Sequence, residues 1–278
     1  MIPFDFEYFQ PSSITEAIQL FQQLYEKQKG PLYYGGGTEF TTLGRFMDLT
    51  RAVIDIKKIP ECNIIEQNGS ELVVGAALTL TKLAEDDRFP LLSQVVANVA
   101  DRTARNQITL GGNINGMIPY REGVLPFLVC DSTCVIAGKN GLRYEPIQQL
   151  FKKRLRLEKG EFLVQLRTPL REINAPFYYV KKRKIDKIDY PLISMASIKK
   201  EHVIQFAFSG LCAFPFRSIP MEKTLNNQQL PLKKRINQAF LMIPAPIKDD
   251  IRGSRAYREF VLQEIVTTMI ETLEGGTV

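Results

Sequence analysis

Two glycine-rich stretches carry the residue types and spacing best suited to chemistry on a phosphate-bearing ligand. The first is Tyr33-Tyr34-Gly35-Gly36-Gly37-Thr38-Glu39-Phe40, and the second is Thr109-Leu110-Gly111-Gly112-Asn113-Ile114-Asn115. Glycine lets a backbone approach a ligand closely and tolerates positive φ. Successive exposed N–H groups then form a concavity that holds anions. Two such loops would grip the two phosphates of one dinucleotide. Other chemistries are poorly supplied. The single histidine, His202, lies in Lys199-Lys200-Glu201-His202, which reads as a polar turn between strands. There is no Ser-His-Asp set and no histidine-rich metal site. Cys62, Cys130, Cys134 and Cys212 form no CxxC pair, so they read as reduced, buried thiols. A chain without an imidazole base leaves the reaction to a cofactor.

The charge balance narrows the partners. Net charge is +6 with pI near 9.0. Cations cluster at Lys152-Lys153-Arg154 and Lys181-Lys182-Arg183-Lys184. Neither run alternates with aromatics that would stack bases, and no DNA-binding motif accompanies them, so nucleic acid is not expected. Solvated faces, a bound phosphate or an acidic partner explain the charge more simply. Hydrophobic residues make up 45% and charged residues 24%, the composition of an ordinary globular protein. No apolar run reaches the roughly 18 residues of a membrane span. The start, Met1 to Glu7, carries two acids and lacks the basic opening of a signal peptide. The expectation is a cytoplasmic protein with no membrane contact.

The elements that must position the loops are legible from periodicity. Ser13-Ile14-Thr15-Glu16 is a capping box. Ile14, Ala17, Ile18, Phe21, Leu24 and Tyr25 follow at helical spacing, with Gly30 as the stop. Pro31–Tyr34 reads as a strand entering the first loop and 52–56 as a second strand. Residues 72–78 read as a buried strand, with helices around 81–86 and 91–101. Asn140-Gly141 joins strands 133–137 and 142–144 as a hairpin, and a strand at 162–166 closes at Pro169. Beyond it, 177–180, 192–198 and 203–214 form a meander, followed by helices at 233–241 and 254–273. Strands followed by helices predict a separate unit. The expected class is α+β, with units at 1–60, 61–170 and 171–278.

Four ordered anchors give the chain a resemblance over nearly its whole length. They are Gly35-Gly36-Gly37-Thr38-Glu39; Arg105-Asn106 followed two residues later by Thr109-Leu110-Gly111-Gly112-Asn113-Ile114; the run from Lys181 to Asp189; and Asp250-Ile251-Arg252-Gly253-Ser254 with Tyr257-Arg258. On these the chain resembles the flavin-binding subunit of the molybdenum hydroxylases, the xanthine dehydrogenase and carbon monoxide dehydrogenase family. The resemblance implies a two-subdomain FAD-binding fold of the vanillyl-alcohol oxidase/PCMH type. A C-terminal α+β domain of the carbon monoxide dehydrogenase flavoprotein type would follow. It is not a Rossmann fold, and neither loop gives the full GxGxxG pattern that opens a helix.

The resemblance also implies a site. FAD would be bound non-covalently, its pyrophosphate wrapped by Tyr33, Tyr34, Gly35, Gly36, Gly37, Thr38, Glu39 and Phe40. Gly111 and Gly112 would admit the diphosphate on the other side, with Thr109 and Asn113 donating hydrogen bonds. Lys181 would reach the flavin ring, though in a run of four basic residues it could equally be solvated. Tyr33 and Tyr34 would flank the flavin or belong to the core. The family carries Ser-Pro-x-x-Asp after the second loop, where this chain has Ile118-Pro119-Tyr120-Arg121-Glu122. Glu122 takes the aspartate position with one more methylene and can still accept from a ribose hydroxyl or adenine amine. Asp250, Arg252 and Tyr257 read as structural, a helix cap and internal ion pair.

The function implied is electron transfer within a heteromeric complex. A molybdopterin-binding large subunit would hydroxylate the substrate, and a small subunit with 2Fe–2S clusters would pass electrons to this FAD. NAD⁺ or another acceptor would take them on. The molybdenum cofactor and the clusters would sit on the partner subunits, because this chain lacks the cysteines for them. Xanthine is the leading substrate expectation, with an aldehyde, nicotinate or carbon monoxide as alternatives. A non-catalytic nucleotide-binding module is the reading from a different class.

Overall fold

The computed structural model describes residues 4–44, 49–185 and 188–275. Met1 to Pro3, used above in reading the N-terminus, and two residues of the run from Lys181 to Asp189 lie outside them. The first helix, Ile14–Glu26, is capped as its sequence predicts. Ser13 Oγ accepts from Glu16 N at 3.2 Å, and Glu16 accepts in turn from Ser12 N at 2.7 Å. The helix stops before Gly30 because Gln28 already adopts a left-handed φ of 56°. Its buried face, Ala17, Phe21 and Leu24, covers a three-stranded parallel sheet. The strands are β1 (Glu7–Phe9), β2 (Pro31–Tyr34) and β3 (Ala52–Asp55), in the order β1-β3-β2. The short β1 escaped the sequence reading because three residues show no periodicity.

An antiparallel sheet follows in the order β4-β5-β10-β6-β7. Its strands are β4 (Ile65–Asn68), β5 (Glu71–Gly75), β6 (Thr133–Gly138), β7 (Gly141–Pro146) and β10 (Phe162–Pro169). Between them a two-stranded hairpin joins β8 (Phe151–Lys152) to β9 (Arg154–Leu155). The expected strand 72–78 ends early, at Gly75. Ala76 and Leu78 leave the ladder, and their carbonyls accept instead from Gly111 N at 2.8 Å and Leu110 N at 2.9 Å. That exchange fastens the second glycine stretch to the sheet.

The last sheet is antiparallel, in the order β11 (Phe177–Arg183), β12 (Pro191–Lys200), β13 (Val203–Ser209) and β14 (Phe216–Arg217). The strand expected through residue 214 stops at Ser209, where Gly210 turns the chain with φ 84°. Buried Arg258 holds that turn through the Gly210 carbonyl at 2.9 Å. The helices Leu232–Phe240 and Arg255–Glu274 complete this part, joined by Ile219–Leu225.

Apolar clusters form the core, and two of them bridge neighbouring sheets. One joins Ala17, Phe21 and Ile54 to Val135 and Phe162; a second is centred on Val74, Leu92 and Phe127; a third joins Phe206 and Phe208 to Leu262 and Ile265. Among the described residues no helix is long and apolar enough to cross a membrane.

Candidate functional site

Strand β2 runs straight into Gly35–Gly37, and the helix Thr38–Leu43 begins at once. Gly37 caps that helix with φ 70°, and a Cβ there would overlap the Tyr34 hydroxyl. A Cβ on Gly36 would overlap the Gln107 carbonyl, and one on Gly35 would lie 2.5 Å from Thr109 Oγ1. These glycines therefore let the two loops touch. Among the described residues no acceptor meets the N–H groups of Gly36, Gly37, Thr38 or Glu39. The Thr38 hydroxyl is likewise without a partner there. The Glu39 carboxylate faces the other way and accepts from Met117 N at 2.7 Å and Ile118 N at 3.0 Å.

The posture of this loop is set from below by a buried carboxylate. Asp55, 1% exposed, accepts from the Tyr8 hydroxyl, from Lys57 N at 2.9 Å and from Lys57 Nζ at 2.7 Å. Lys57 Nζ also donates to the Gly35 carbonyl at 2.8 Å and lies 4.7 Å from the centre of the Tyr34 ring. Burial, then the bond to Asp55, pushes the Tyr8 hydroxyl up to about 12.

The second loop also opens a helix, Leu110–Asn115. Thr109 caps it by accepting from Gly112 N at 3.2 Å. Gly111 packs on the β5 exit, where a Cβ would sit 2.9 Å from Ala76 Cβ. The N–H groups of Gly111 and Gly112, expected to face a diphosphate, are thus taken within the protein. A Cβ on Gly112 would meet only Thr109 Oγ1, at 2.9 Å, with open space beyond. Asn113 Oδ1 accepts from Gly123 N at 2.9 Å, and its amide nitrogen has no acceptor among the described residues.

Both loops line one cavity of about 830 Å³, at the large end of the range for ligand pockets. Every residue singled out from the sequence reaches its wall: Tyr33 to Phe40, Thr109, Gly111, Gly112, Asn113, Glu122 and Lys181. Their parts differ from expectation in places. Tyr33 stacks on Phe21 at 5.1 Å and packs at a tilt against Phe162 at 4.5 Å, with its hydroxyl donating to Gly160 O at 3.2 Å. Phe40 is buried edge-on against Phe6 and Tyr34. Lys181 is no free cation. Its Nζ donates to Glu122 and to the Asn98 carbonyl, both at 2.7 Å, with both partners of the ion pair 2% exposed. Burial lowers the Lys181 pKa against the opposing pull of Glu122. Glu122 also accepts from Ser194, so both its oxygens are engaged by protein.

Another part of the cavity wall is built by Tyr120 and Tyr190, given no role from the sequence, and by Arg252, expected to be structural. Tyr120 and Tyr190 stack at 4.6 Å. The Arg252 guanidinium lies 5.5 and 5.1 Å from their rings. Tyr120, Tyr190 and Arg252 all line the wall. Asp250 does form an internal ion pair, with Arg258 at 2.7 Å, but the helix cap is Ser254. Arg252 of the closing motif was the available signal for this wall. Neither Tyr120 nor Lys57 had one, because each acts through an element distant in sequence. His202 is exposed in the turn between β12 and β13, away from the cavity wall.

Comparison with known proteins follows this geometry. A family described as FAD binding domain in molybdopterin dehydrogenase matches residues 4–171. The carbon monoxide dehydrogenase medium chain of Hydrogenophaga pseudoflava is 32% identical over 191 residues, 66% of either chain. The nicotinate dehydrogenase FAD-subunit of Eubacterium barkeri is 28% identical over 192 residues, 65% of this chain and 64% of that one. The match thus spans about two thirds of the length of these relatives. Among solved structures, carbon monoxide dehydrogenase from H. pseudoflava superimposes over 99% of both chains, with TM-score 0.84 and 24% identity. Quinoline 2-oxidoreductase from Pseudomonas putida 86 gives TM-score 0.81 at 23% identity, over 98% of this chain and 99% of that chain. These likenesses extend the shared fold through the C-terminal sheet and helices.

Proposed function

Because this chain belongs to the family of FAD-binding domains of molybdopterin dehydrogenases, we propose that it is the flavoprotein subunit of a molybdenum hydroxylase and that its cavity holds FAD without a covalent link. The observation that carries the reading is the run of unpaired N–H groups from Gly36 to Glu39 on the cavity wall. A diphosphate needs such donors, fixed in place before it arrives. In this reading those N–H groups and the Thr38 hydroxyl hold the phosphates. The Asn113 amide donates from the second loop, and Gly112 leaves the room that the diphosphate occupies. Bound FAD supplies a two-electron carrier. The chain itself orients it, walls it with Tyr33, Tyr120 and Tyr190, and shields it from water. The paired Lys181 and Glu122 keep the adjoining floor neutral.

We further propose units at 1–60, 61–170 and 171–278, supported by their separate sheets. The partners in this reading are a molybdopterin-binding large subunit and a small subunit with 2Fe–2S clusters, with NAD⁺ as the acceptor. Substrate contacts would lie on the large subunit. The named relatives serve carbon monoxide and nicotinate, so the earlier lean toward xanthine has no support from them. The test is direct. The purified chain should carry the flavin absorption bands, and acid precipitation should release all of the flavin into the supernatant. A colourless chain that takes up no FAD on reconstitution would overturn the reading, and flavin retained in the pellet would overturn the non-covalent link.

A further inference from the structure

The basic run Lys152-Lys153-Arg154 is left unexplained by the cofactor cavity. It forms a very tight reversal: Phe151 pairs with Leu155 and Lys152 with Arg154, leaving Lys153 alone at the turn. Lys153 has φ 71°, a conformation uncommon for a residue other than glycine. The buried Arg121 guanidinium donates to the Lys153 carbonyl, bringing a fourth cation under three that already crowd together. No described acid pairs with the three exposed cations, and Glu39 acts on Arg121 alone. Lys152, Lys153, Arg154 and Arg156 are all exposed, and none forms an ion pair among the described residues. Lys152 Nζ donates to the Gln148 carbonyl at 2.7 Å and Lys153 Nζ lies 5.2 Å from the centre of the Phe214 ring, contacts that carry no opposite charge. The other basic run differs in having ion pairs. Lys181 and Lys182 pair with Glu122 and Glu264, Arg183 bonds Asn98, and Lys184 bonds the Ile251 carbonyl.

Strained backbone with uncompensated like charge persists where surrounding structure enforces it, and such sites gather at working surfaces. The enforcement here comes from Arg121, which also binds the Gly116 carbonyl at 2.8 Å. Next to Gly116 stands Met117, an apolar side chain 62% exposed that also lines the rim of the cofactor cavity. An apolar residue beside a charged rim is the composition of a protein interface. A second copy of this chain would bring like charge to the hairpin. Nucleic acid would find no row of rings to stack on, since Phe151 is buried and the neighbouring Phe214 ring already lies under Lys153, 5.2 Å from its Nζ. Arg121 and Leu157 also line the cofactor cavity, so a protein seated on the hairpin lies beside the cofactor. An electron donor needs that proximity.

We propose that the hairpin at 151–156, with Met117 beside it, is the docking surface for an acidic face of the electron-donating iron–sulfur subunit. The inference rests on the reading of this chain as a flavoprotein subunit. Its test titrates the FAD-loaded chain with the purified iron–sulfur subunit in 50 and 250 mM NaCl by calorimetry. The wild type should bind about tenfold more weakly at the higher salt, because screening shortens the reach of its cations. The variant Lys152→Glu/Arg154→Glu/Arg156→Glu should lose at least tenfold at low salt while keeping its flavin content and melting temperature. A control, Lys233→Glu/Lys234→Glu, reverses exposed charge on a remote helix and should bind as wild type does. Wild-type affinity in the hairpin variant, or equal loss in the control, overturns the docking surface alone. A flavin-loaded wild type that fails to bind the subunit at either salt overturns the surface together with membership of the complex.

Discussion

Gly36 and Gly112 are glycines for different reasons. Gly36 sits where a Cβ would overlap the Gln107 backbone carbonyl, which cannot swing aside as a side chain can. Gly112 faces one hydroxyl and open cavity. Gly36→Ala should therefore force the loops apart, lowering both the melting temperature and the flavin content. Gly112→Ala should keep the apo-protein's melting temperature close to wild type, while Gly112→Val should also keep the fold and lose FAD. Melting curves of flavin-free protein beside flavin-to-protein ratios separate the two effects. A Gly112→Val protein with full flavin would remove this position from the cofactor site. Thr38 stands between these cases, since its hydroxyl has no partner among the described residues. Thr38→Val should weaken FAD by about 1.5–3 kcal/mol if the acceptor is a charged phosphate.

At the scale of elements, the first loop depends on a strand end it does not contact in sequence. Asp55, at the end of β3, fixes Lys57, and Lys57 fixes the Gly35 carbonyl. Lys57→Met should loosen the loop and raise the FAD Kd by about tenfold, the worth of one charge-assisted hydrogen bond. Lys57→Arg should recover much of it. Titration of flavin-free protein measures this, and an unchanged Kd in Lys57→Met would show that the loop holds its posture alone. Such dependence explains what the sequence could and could not reveal. The capping box of the first helix, the Asn140-Gly141 hairpin and both glycine loops were legible because their signals are local. The helices opened by Gly37 and Thr109 were not, because six-residue helices carry too little periodicity. The early end of β5 was hidden as well. Nothing in Ala76-Ala77-Leu78 announces that its carbonyls are needed by residues 110 and 111. The Tyr120–Tyr190 wall was invisible for the same reason, its two rings coming from loops far apart in the chain.

Across the whole molecule, the buried Lys181–Glu122 pair joins strand β11 to the short helical turn that begins at Glu122. Removing one partner leaves the other charge buried, a loss of about 3–5 kcal/mol. Lys181→Met should accordingly lower the melting temperature sharply, and Glu122→Leu/Lys181→Met should regain most of the loss. If the double variant melts as low as the single, the pair is not what couples the two parts. The cavity has a related property. Its wall takes Tyr33 from the first sheet, Phe162 and Leu163 from the second, and Lys181 from the third. A ligand seated against three sheets is released faster whenever two of them move apart. Its residence time then reports on that motion as well as on its contacts, and exchange of labelled for unlabelled cofactor becomes a clock for breathing between the sheets.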